Sequence, residues 1–440
     1  MGMTGRPTHT LAAAVARYID CGSHYNGQRS NFGVVASVTQ LRFAQKGTKG
    51  LLRARNDVLV LQCVAAGGDR CSRTDVARET GLPQATVSEI VAEMIERRLV
   101  REAGREAQRI GKPRVLLELD SDHHHFVGVH LGRGRIRASR LTLTGHIVES
   151  TTVPHMLGDD TLATIATAVG RLAKSGDAEI SGVGVAAPGI IGDDGTIREA
   201  VNYGWRMMPL GQELSRRCGG LPVHVVNDAN AVALSEVALS TVDVDTVVVL
   251  WIGTGIGAGI VLDGRLYRGA EFRSGEIGHI DTGASLRCRC GLIGCLETVA
   301  AEPTIVGAAS ESDIQQFLAG ADDADSRALG ERIRRAAQAL ARLLSTLGGT
   351  LDVTDFILGG PFSSHPLAPA VLGAVNDVLA VRVMSGFSPL KVRFTTLGAH
   401  SLIFGAAAHA IRQELGVMIA MPAGLAEGVP PEEGSVDSGG

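Results

Sequence analysis

Three cysteines and one histidine lie in one short segment, and these residue types are the usual zinc ligands in proteins. The segment reads His-x8-Cys-x-Cys-Gly-Leu-Ile-Gly-Cys-Leu-Glu and contains His279, Cys288, Cys290 and Cys295. Three thiolates and one imidazole complete a closed tetrahedral site, and glycines allow so short a loop to wrap around an ion. The spacing therefore predicts one structural zinc ion per chain. The alternatives are reduced thiols without metal or an adventitious disulfide, although Cys288 and Cys290 are too constrained to pair readily.

A run of alternating glycines follows a predicted strand. It reads Gly-Thr-Gly-Ile-Gly-Ala-Gly, and its candidate anion-binding residues are Gly253, Thr254, Gly255 and Gly257. Consecutive unhindered N–H groups can cradle an anion. The signal is weak alone, because any β-turn-β unit can contain glycines.

Acidic and amide side chains flank this run. The sequence Asn-Asp-Ala-Asn at positions 227–230 directly follows the predicted strand Val223–Val226, and Glu276 and Glu297 follow the glycine run. Ligands of α/β sheets usually bind at such strand ends. Each hydroxyl of a sugar both donates and accepts hydrogen bonds, so converging Asn, Asp and Glu residues suit a polyhydroxylated ligand. The alternative for Asp228 is a helix N-cap.

The elements that must position these residues belong to a chain of 440 residues, long enough for several domains. With 45% hydrophobic and 20% charged residues, the composition excludes a largely disordered, collagen-like or coiled-coil protein. Residues 1–114 contain 18 Lys and Arg against 10 Asp and Glu, whereas residues 115–440 contain 24 against 36. A basic front on an acidic body predicts that the front meets a polyanion.

Three helices are predicted near the front of the chain, after a polar arm of about 50 residues with one short helix at Leu11–Ile19. Apolar residues recur at helical spacing from Asn56. Ser72, with Asp75 three residues on, caps the second helix, and Gly81 ends it. The third helix begins after a Leu-Pro turn and has its apolar residues on one face.

Two short strands, Leu99–Val100 and Val115–Leu119, are predicted to follow as a hairpin. This order is typical of a winged helix-turn-helix, whose third helix enters a major groove while the wing reaches a minor groove. The candidate DNA-contacting residues are Arg73, Gln84, Thr86, Ser88, Arg105, Arg109, Lys112 and Arg114. The alternative is a generic small helical domain, in which the basic residues of the wing lack a simple structural purpose. Glu89 on the third helix repels phosphate, although a carboxylate can accept from N4 of cytosine.

From Phe126 the pattern changes to alternating strands and helices, which predicts an α/β fold. The predicted strands are Phe126–Leu131, Arg137–Leu143, Gly182–Ala186, Val223–Val226, Thr246–Ile252 and Asp355–Leu358, and the clearest helix is Ser326–Leu347. The run His123 to His125 is interpreted as a solvated domain junction. The last twenty residues are rich in Pro, Gly and acid and are predicted to be disordered.

The chain is expected to work in a reducing cytoplasm. It has an odd number of cysteines, seven, and its first residues do not resemble a secretory signal. The longest uncharged apolar stretch, Thr246–Leu262, is interrupted by glycines and shorter than a membrane span, so it predicts a strand, a turn and a strand.

Taken together, the glycine run, Glu-x-Gly-His, the Cys-x-Cys-Gly-x-x-Gly-Cys-x-Glu segment and Asn-Asp-Ala-Asn resemble the ROK family of sugar-responsive repressors and sugar kinases, in its repressor branch. That branch includes xylose and N-acetylglucosamine repressors. The resemblance covers roughly residues 55–415 and implies a two-lobed actin-like, hexokinase-like (ribonuclease H-like) fold with the sugar between the lobes. Carried over, the sugar-binding residues would be Asn202, Asn227, Asp228, Glu276, His279 and Glu297. His279 would then touch both zinc and sugar, so that the metal orders the pocket.

The resemblance also implies that kinase activity is lost. Asp228 matches the family's catalytic base and would be vestigial here. Family kinases begin the first lobe with Asp-x-Gly-Gly-Thr, whereas this chain has His-Leu-Gly-Arg-Gly from His130, without the acid and with Arg133 in place of a glycine. A later Gly-Gly-Gly loop reads Gly-Gly-Pro here, ending at Pro361, and proline removes one N–H donor. Phosphoryl transfer depends on positioning and electrostatics, so these changes should remove most activity.

The sequence therefore predicts a regulator, most simply a repressor, that binds a palindromic DNA operator as a homodimer or homotetramer and responds to a sugar. The expected divisions are an arm at 1–50, a winged helix-turn-helix at 51–120, a ROK sugar-binding domain at 121–420 with the zinc motif at 279–295, and a tail at 421–440. The alternatives are an ATP-dependent sugar kinase that also binds DNA, and a DNA-bound regulator with a vestigial pocket that answers to a protein partner or to zinc supply.

Overall fold

The structure is a computed structural model that describes residues 49–68, 71–106, 113–132, 134–156, 160–239, 246–381 and 388–419. The predicted arm, its short helix and the C-terminal tail lie outside these ranges. None of the helices within them is long and apolar enough to cross a membrane.

The front of the described chain folds as three helices and a small antiparallel sheet, which confirms the predicted winged helix-turn-helix order. The helices are α1 Lys49–Gly67, α2 Arg73–Thr80 and α3 Gln84–Glu96, and the strands are β1 Cys71–Ser72, β2 Val100–Glu106 and β3 Arg114–Leu119. The sheet has the order β1-β3-β2, so β2 and β3 form the wing. Val58, Val87 and Leu117 belong to one buried cluster.

The local end signals of α2 are correct. The Ser72 hydroxyl accepts from the Asp75 backbone N–H, the Asp75 carboxylate accepts from the Ser72 N–H, and Gly81 has φ 69°. The predicted start of α1 is wrong: the helix begins at Lys49, not near Asn56, because its first two turns carry few apolar residues and give little periodic signal. Strand β1 has only two residues, too few for a pattern to predict.

Two lobes follow, each built on a five-stranded sheet. The first lobe contains β4 His124–Leu131, β5 Gly134–Thr142, β6 Ile147–His155, β7 Glu179–Ala187 and β11 Val223–Asn227. The second contains β12 Val247–Ile252, β13 Ile256–Leu262, β14 Arg265–Leu266, β15 Asp355–Gly359 and β16 Lys391–Phe394. The sheet orders are β6-β5-β4-β7-β11 and β14-β13-β12-β15-β16. In each, three strands form an antiparallel meander and two add in parallel, so the second lobe repeats the topology of the first.

Helices cover the outer faces of both sheets, and a small antiparallel sheet stands at the edge of the first lobe. Its strands are β8 Ile190–Ile191, β9 Ile197–Ala200 and β10 Trp205–Met208. The first lobe carries α4 Thr161–Ala173 and α5 Leu210–Arg217. The second carries α7 Glu297–Ala300, α8 Glu302–Val306, α9 Glu311–Leu318, α10 Ala324–Leu351 and α11 Ala368–Ala380. Short 3₁₀ turns lie at Val201–Tyr203, Ile277–His279, Pro361–Ser364 and Gly398–His400.

Two buried helices, α6 (Asp228–Ala238) and α12 (Ser401–Leu415), form the central layer between the sheets. Helix α12 packs on β4, β7 and β11 of the first lobe, and α6 packs on β12 and β13 of the second. The helices cross at Gly405, where an added Cβ would lie 1.7 Å from the carbonyl oxygen of Ala231. Glycine is therefore required at 405, since any side chain would push the two helices apart.

The histidine run at the start of the first lobe links the winged domain to the first sheet, and its interpretation as solvated is wrong for His124 and His125. His124 and His125 are only 4% and 7% exposed. The His124 ring is bonded at both nitrogens, to the Arg97 carbonyl and to the Ser181 hydroxyl, each at 2.8 Å. A buried histidine with two partners is a structural joint between the DNA-binding-type domain and the first sheet.

Candidate functional site

A cavity of about 750 Å³ lies between the two lobes at the strand ends. Its walls combine the residues after β4, β11 and β12 with the segment that precedes the cysteine cluster. Carboxyl side chains along it outnumber guanidinium groups: the acidic residues are Glu199, Asp228, Glu276, Glu297 and Glu302, and the basic ones are Arg268 and Arg273. Pockets of this size take small organic ligands.

Asp228 is the first residue of α6 and lines the cavity. Its Oδ1 atom is buried and has no hydrogen-bond partner among the described residues. Burial raises the pKa of this carboxyl to about 7, because removal from water disfavours the charged form. A buried carboxyl that lacks a partner is a candidate ligand-binding or proton-accepting group.

The side-chain amides of Asn227 and Asn230, on either side of Asp228, have different roles. Asn227 is the N-cap of α6: its Oδ1 accepts from the backbone of Ala229 at 3.0 Å, and its Nδ2 donates to the Gly189 carbonyl at 3.0 Å. The N-cap alternative thus applies to Asn227 and not to Asp228. Asn230, which the sequence analysis left out of the binding set, is only 9% exposed, lines the cavity, and has an Oδ1 without a partner in the described chain.

The side chain of Glu297 lies against the inner side of the glycine turn. The Glu297 Oε1 atom accepts from the backbone N–H of Ile256 at 2.8 Å, and it would lie 2.6 Å from a Cβ added at Gly255. The Gly253 N–H donates to the Gly255 carbonyl at 3.0 Å. Two N–H groups near this turn are therefore already used, and the carboxylate beside them disfavours a second negative charge.

Other titratable groups that line the cavity have shifted pKa values. Desolvation raises the pKa of Glu276, Glu297 adds to that rise, and His279 opposes it. Burial also raises the pKa of Glu302. Burial lowers the pKa of His130 to about 3, with Arg137 adding to the effect, so its imidazole is neutral at physiological pH.

The four predicted zinc ligands come together. The coordinating atoms of His279, Cys288, Cys290 and Cys295 all lie within 4.8 Å of one another. Cys290 Sγ is 3.6 Å from Cys295 Sγ, and Cys288 Sγ is 3.8 Å from His279 Nδ1. Tetrahedral zinc with bonds of about 2.3 Å to sulfur separates its ligand atoms by roughly 3.8 Å. The geometry fits one such ion, and the three cysteines of the cluster form no disulfide.

The cluster is joined to the cavity, because His279 and Cys290 line both. The described cysteines that carry no disulfide are Cys63, Cys71, Cys218, Cys288, Cys290 and Cys295.

The side chain of Asn202, the remaining predicted sugar ligand, lies outside the described residues, although its backbone forms part of the turn Val201–Tyr203 beside the cavity.

The two loops that differ from kinase sequences both border the cavity. The His130 ring packs on its own loop, since a Cβ added at Gly132 would lie 3.0 Å from the His130 Cε1 atom. Tyr203 donates to the Gly132 carbonyl at 3.3 Å. Pro361 packs against the glycine turn, 3.2 Å from a Cβ added at Gly253. Arg133 lies outside the described residues.

Contacts between the lobes lie at one side of the cavity, and no local sequence pattern predicts them. Arg268 of the second lobe pairs with Asp193 of the first. Arg198 pairs with Glu271 at 3.4 Å, and its guanidinium lies 4.5 Å from the ring centre of Phe272. Both pairs join charged side chains that are partly exposed, so each is expected to contribute little to stability.

Two predicted DNA-contacting arginines are engaged within the winged domain. Arg73 pairs with Glu102 at 3.0 Å. Arg114 pairs with Asp75 and donates to the Ser72 hydroxyl at 3.1 Å. The statement that the wing arginines lack a structural purpose is therefore wrong for Arg114, which ties β3 to the start of α2.

The other predicted DNA-contacting residues remain at the surface or fall outside the description. Ser88 and Arg105 are exposed, Thr86 is half-buried, and the exposed Gln84 makes one long contact of 3.4 Å to the Thr74 hydroxyl. Arg109 and Lys112 lie outside the described residues.

Glu89 on α3 is paired. Arg53 of α1 contacts Glu89 at 3.0 Å and Glu93 at 2.7 Å, and it also contacts Asp57 at 3.2 Å. This cation offsets the repulsion of phosphate expected from Glu89. The spacing of 36 residues between Arg53 and Glu89 explains why helical periodicity alone did not reveal the pair.

Comparisons with known proteins agree with this architecture. A family signature described as "ROK family" matches residues 126–413, and one described as "IclR helix-turn-helix domain" matches residues 58–104. A putative xylose repressor of Caldicellulosiruptor sp. (strain Rt8B.4) is 31% identical over 305 residues, which cover 66% of this chain and 76% of that protein. A glucokinase of Halalkalibacterium halodurans is 32% identical over 313 residues, which cover 64% of this chain and 93% of that protein.

Among solved structures, one is described as a ROK family transcriptional regulator, homolog of the E. coli MLC protein. It superposes with a TM-score of 0.67 over 84% of this chain and 99% of its own, at 24% identity. This match supports the same fold across the winged domain and both lobes.

Proposed function

The chain belongs to the ROK family, and from this premise we propose that it is a sugar-responsive transcriptional repressor. The observation that carries the proposal is the combination, in one chain, of a winged helix-turn-helix with an interlobe cavity where Asp228 and Asn230 have buried oxygens without described partners. Buried polar atoms of this kind require hydrogen-bonding groups, and the hydroxyls of a sugar supply them.

In this proposal the sugar lies at the start of α6. Asp228 and Asn230 accept hydrogen bonds from its hydroxyls, and Glu276 and His279 contact it from the second lobe. Asn227 holds the N-terminus of α6, and Glu297 holds the glycine turn, so both act mainly by orienting the groups beside them. Asn202 is retained as a sugar ligand from the family resemblance. Binding to both lobes at once favours closure of the cavity.

We also propose that His279, Cys288, Cys290 and Cys295 hold one structural zinc ion. The donor set and the distances between its atoms support this assignment. When bound, the ion would be held by these four residues and would crosslink the segment that precedes α7, so that the His279 ring would keep a fixed orientation beside the cavity.

The DNA-facing part of the proposal places α3 in a major groove of a palindromic operator and the wing beside it. A palindromic operator has two matching half-sites, so the proposal includes a homodimer or homotetramer. It also includes a location in the cytoplasm and the predicted division of the chain into arm, winged domain, ROK domain and tail. The basic balance of residues 1–114 supports contact with the phosphate backbone.

Loss of kinase activity is part of the same proposal. The neutral His130 stands where family kinases have an acid, and Pro361 lacks an N–H. These two features disfavour a nucleoside triphosphate. The intact Asp228 and the similarity to a glucokinase favour the alternative of a DNA-binding sugar kinase.

Thermal unfolding of the zinc-loaded chain tests the effector. The probes are D-xylose, D-glucose, N-acetyl-D-glucosamine and their phosphates, each without nucleotide. A sugar at about 100 times its dissociation constant stabilises the folded state by roughly 2.7 kcal/mol. We expect one probe to do so, with the effect lost in Asp228→Ala and in Asn230→Ala but kept in Asp177→Ala, an exposed aspartate. No stabilisation by any probe would contradict the proposal.

An ADP-release assay with ATP and the same sugars separates the regulator from the kinase. We expect no turnover above that of Asp228→Asn. Turnover in the wild type that Asp228→Asn abolishes would identify an active kinase instead.

A further inference from the structure

The last described residues of the chain contact its first described helix, α1. The Gln62 side chain of α1 donates from Nε2 to the Met418 carbonyl at 2.8 Å and accepts at Oε1 from the Met418 N–H at 3.0 Å. One amide side chain thus satisfies both backbone groups of a single residue 356 positions away. Val417, Met418 and Ile419 are buried in the same apolar cluster as the winged domain.

The segment that contains Met418 is the direct continuation of α12. The helix ends at Leu415, its C-cap residue Gly416 has φ 74°, and residues 417–419 follow immediately. Helix α12 is fixed on the first-lobe sheet by two close approaches: a Cβ added at Gly184 would lie 1.8 Å from the Ala406 carbonyl oxygen, and one added at Gly128 would lie 2.3 Å from that of Ile403. Contacts this close leave little freedom to slide.

The same helix contacts the element that begins in the cavity. Gly405 of α12 meets Ala231 of α6, three residues after Asp228. A ligand that moves the start of α6 therefore acts on α12 through a backbone contact rather than through flexible side chains.

A second joint links the winged domain to the first lobe. His124 of β4 contacts the carbonyl of Arg97, the C-cap residue of α3, and the hydroxyl of Ser181 on β7. The two joints hold different helices: His124 holds the end of α3, and Met418 holds α1. Two attachment points fix an orientation, whereas one allows rotation.

Helix α1 connects this orientation to α3, the helix that is proposed to enter the major groove. Arg53 lies near the other end of α1 from Gln62 and pairs with Glu89 and Glu93 of α3. The path from the cavity to α3 is therefore a series of described contacts.

We propose that Gln62 and Met418 are a positioning pair that makes the winged domain move with the first lobe, so that sugar in the cavity changes operator affinity. This inference rests on the proposed function. Coupling of two sites requires an element whose equilibrium both ligands bias. Without the two hydrogen bonds, residues 417–419 keep only their non-directional apolar contacts with the winged domain, so that its orientation is fixed less firmly. Each site then still binds its ligand, but the influence of one site on the other is lost.

The test compares full-length wild type with Gln62→Met, which preserves the length of the side chain and removes both hydrogen bonds. The matched control is Gln212→Met, at an exposed glutamine of α5. The DNA probe is a duplex selected from a random library by the wild-type chain, and the sugar is whichever of D-xylose, D-glucose, N-acetyl-D-glucosamine and their phosphates stabilises the wild type most.

We expect sugar to change operator affinity by about 5- to 150-fold in the wild type and in Gln212→Met, the usual range for coupled sites. In Gln62→Met the change should fall below about two-fold, while sugar affinity and sugar-free operator affinity stay within about three-fold of wild type. Because coupling is reciprocal, DNA should also stop altering sugar affinity in this variant. A purely structural role would lower stability without removing the sugar response.

A full sugar response in Gln62→Met would overturn the positioning role and leave the proposed function intact. Failure of every sugar to bind the wild type would overturn both. If Gln62→Met does not fold, Gln62→Glu keeps the acceptor for the Met418 N–H and loses the donor to the Met418 carbonyl, and a reduced sugar response is expected there.

Discussion

The carboxylate of Glu297 accepts a hydrogen bond of 2.8 Å from the backbone N–H of Ile256, so that an acidic side chain fills the inner side of the glycine turn. The turn thereby keeps its shape without any bound anion. In Glu297→Ala the Ile256 N–H loses its acceptor, which should cost about 1–3 kcal/mol of unfolding free energy. Urea unfolding measures this loss. Glu297→Gln keeps an acceptor oxygen and should lose less, and Glu96→Ala, at an exposed glutamate of α3, should change little.

The raised pKa of Asp228 predicts a pH dependence of stability. The folded state keeps this proton up to a pH of about 7, whereas the unfolded chain releases it near 3.8, so the free energy of unfolding should fall as the pH rises between these values. Asp228→Asn should reduce that fall, because an amide does not titrate. Chemical unfolding at a series of pH values measures the slope. An unchanged slope in Asp228→Asn, or an equal reduction in the exposed control Asp177→Asn, would contradict the assignment.

Removal of the metal should loosen the cavity as well as the cysteine segment. Chelation, or Cys288→Ser, should reduce the zinc content from one per chain to near zero, lower the unfolding temperature and weaken sugar binding through His279. Elemental analysis and thermal unfolding report these effects. Cys218→Ser is the matched control, since this half-buried thiol lies outside the cluster. Full zinc content in Cys288→Ser would show that the ion binds elsewhere.

Arg53 should control the charge of the DNA-facing helix. In Arg53→Ala, Glu89 and Glu93 lose their cation and should repel the phosphate backbone, so we expect operator affinity to fall several-fold, more at low salt than at high salt. The triple change Arg53→Ala, Glu89→Gln and Glu93→Gln should recover most of that loss. Fluorescence anisotropy with the selected duplex measures both. Equal affinity in wild type and Arg53→Ala would mean that α3 does not approach phosphate.

The wing prediction concerns residues outside the described part of the chain. If Arg109 and Lys112 each neutralise one phosphate, replacing both by Ala should reduce the slope of log affinity against log salt by roughly 1.8. Anisotropy titrations over a range of salt concentrations measure the slope. Arg342→Ala, at an exposed arginine of α10 in the second lobe, serves as control. A slope equal to that of wild type would contradict the wing assignment.

The sequence predicted those features that depend on neighbours along the chain. The Ser72 capping box, the strand-turn-strand at 246–262 and the cysteine cluster are all local patterns, and each was correctly predicted. The apolar runs of the parallel strands also identified both lobes, because buried parallel strands are almost continuously apolar.

Features that depend on contacts between distant parts of the chain leave no local pattern in the sequence. The local sequence of the glycine turn predicts an anion site, because nothing near it indicates that Glu297, 41 residues from Ile256, reaches back to it. Helix α12 is buried on nearly every side, and a helix without a polar face has no periodicity to reveal it. The sequence does not predict Asn230 as a binding residue, because its burial results from packing between the lobes.

The contact between Gln62 and Met418 limits how this protein can be recombined with its relatives. The winged domain shares one apolar cluster with residues 417–419, so part of its core is encoded at the opposite end of the described chain. A chimaera that joins this winged domain to the sugar-binding lobes of another regulator must therefore transplant two separate stretches of sequence. With the front stretch alone, the transplanted domain would lack three buried residues of its cluster, and the Gln62 side chain would lose both hydrogen bonds to Met418.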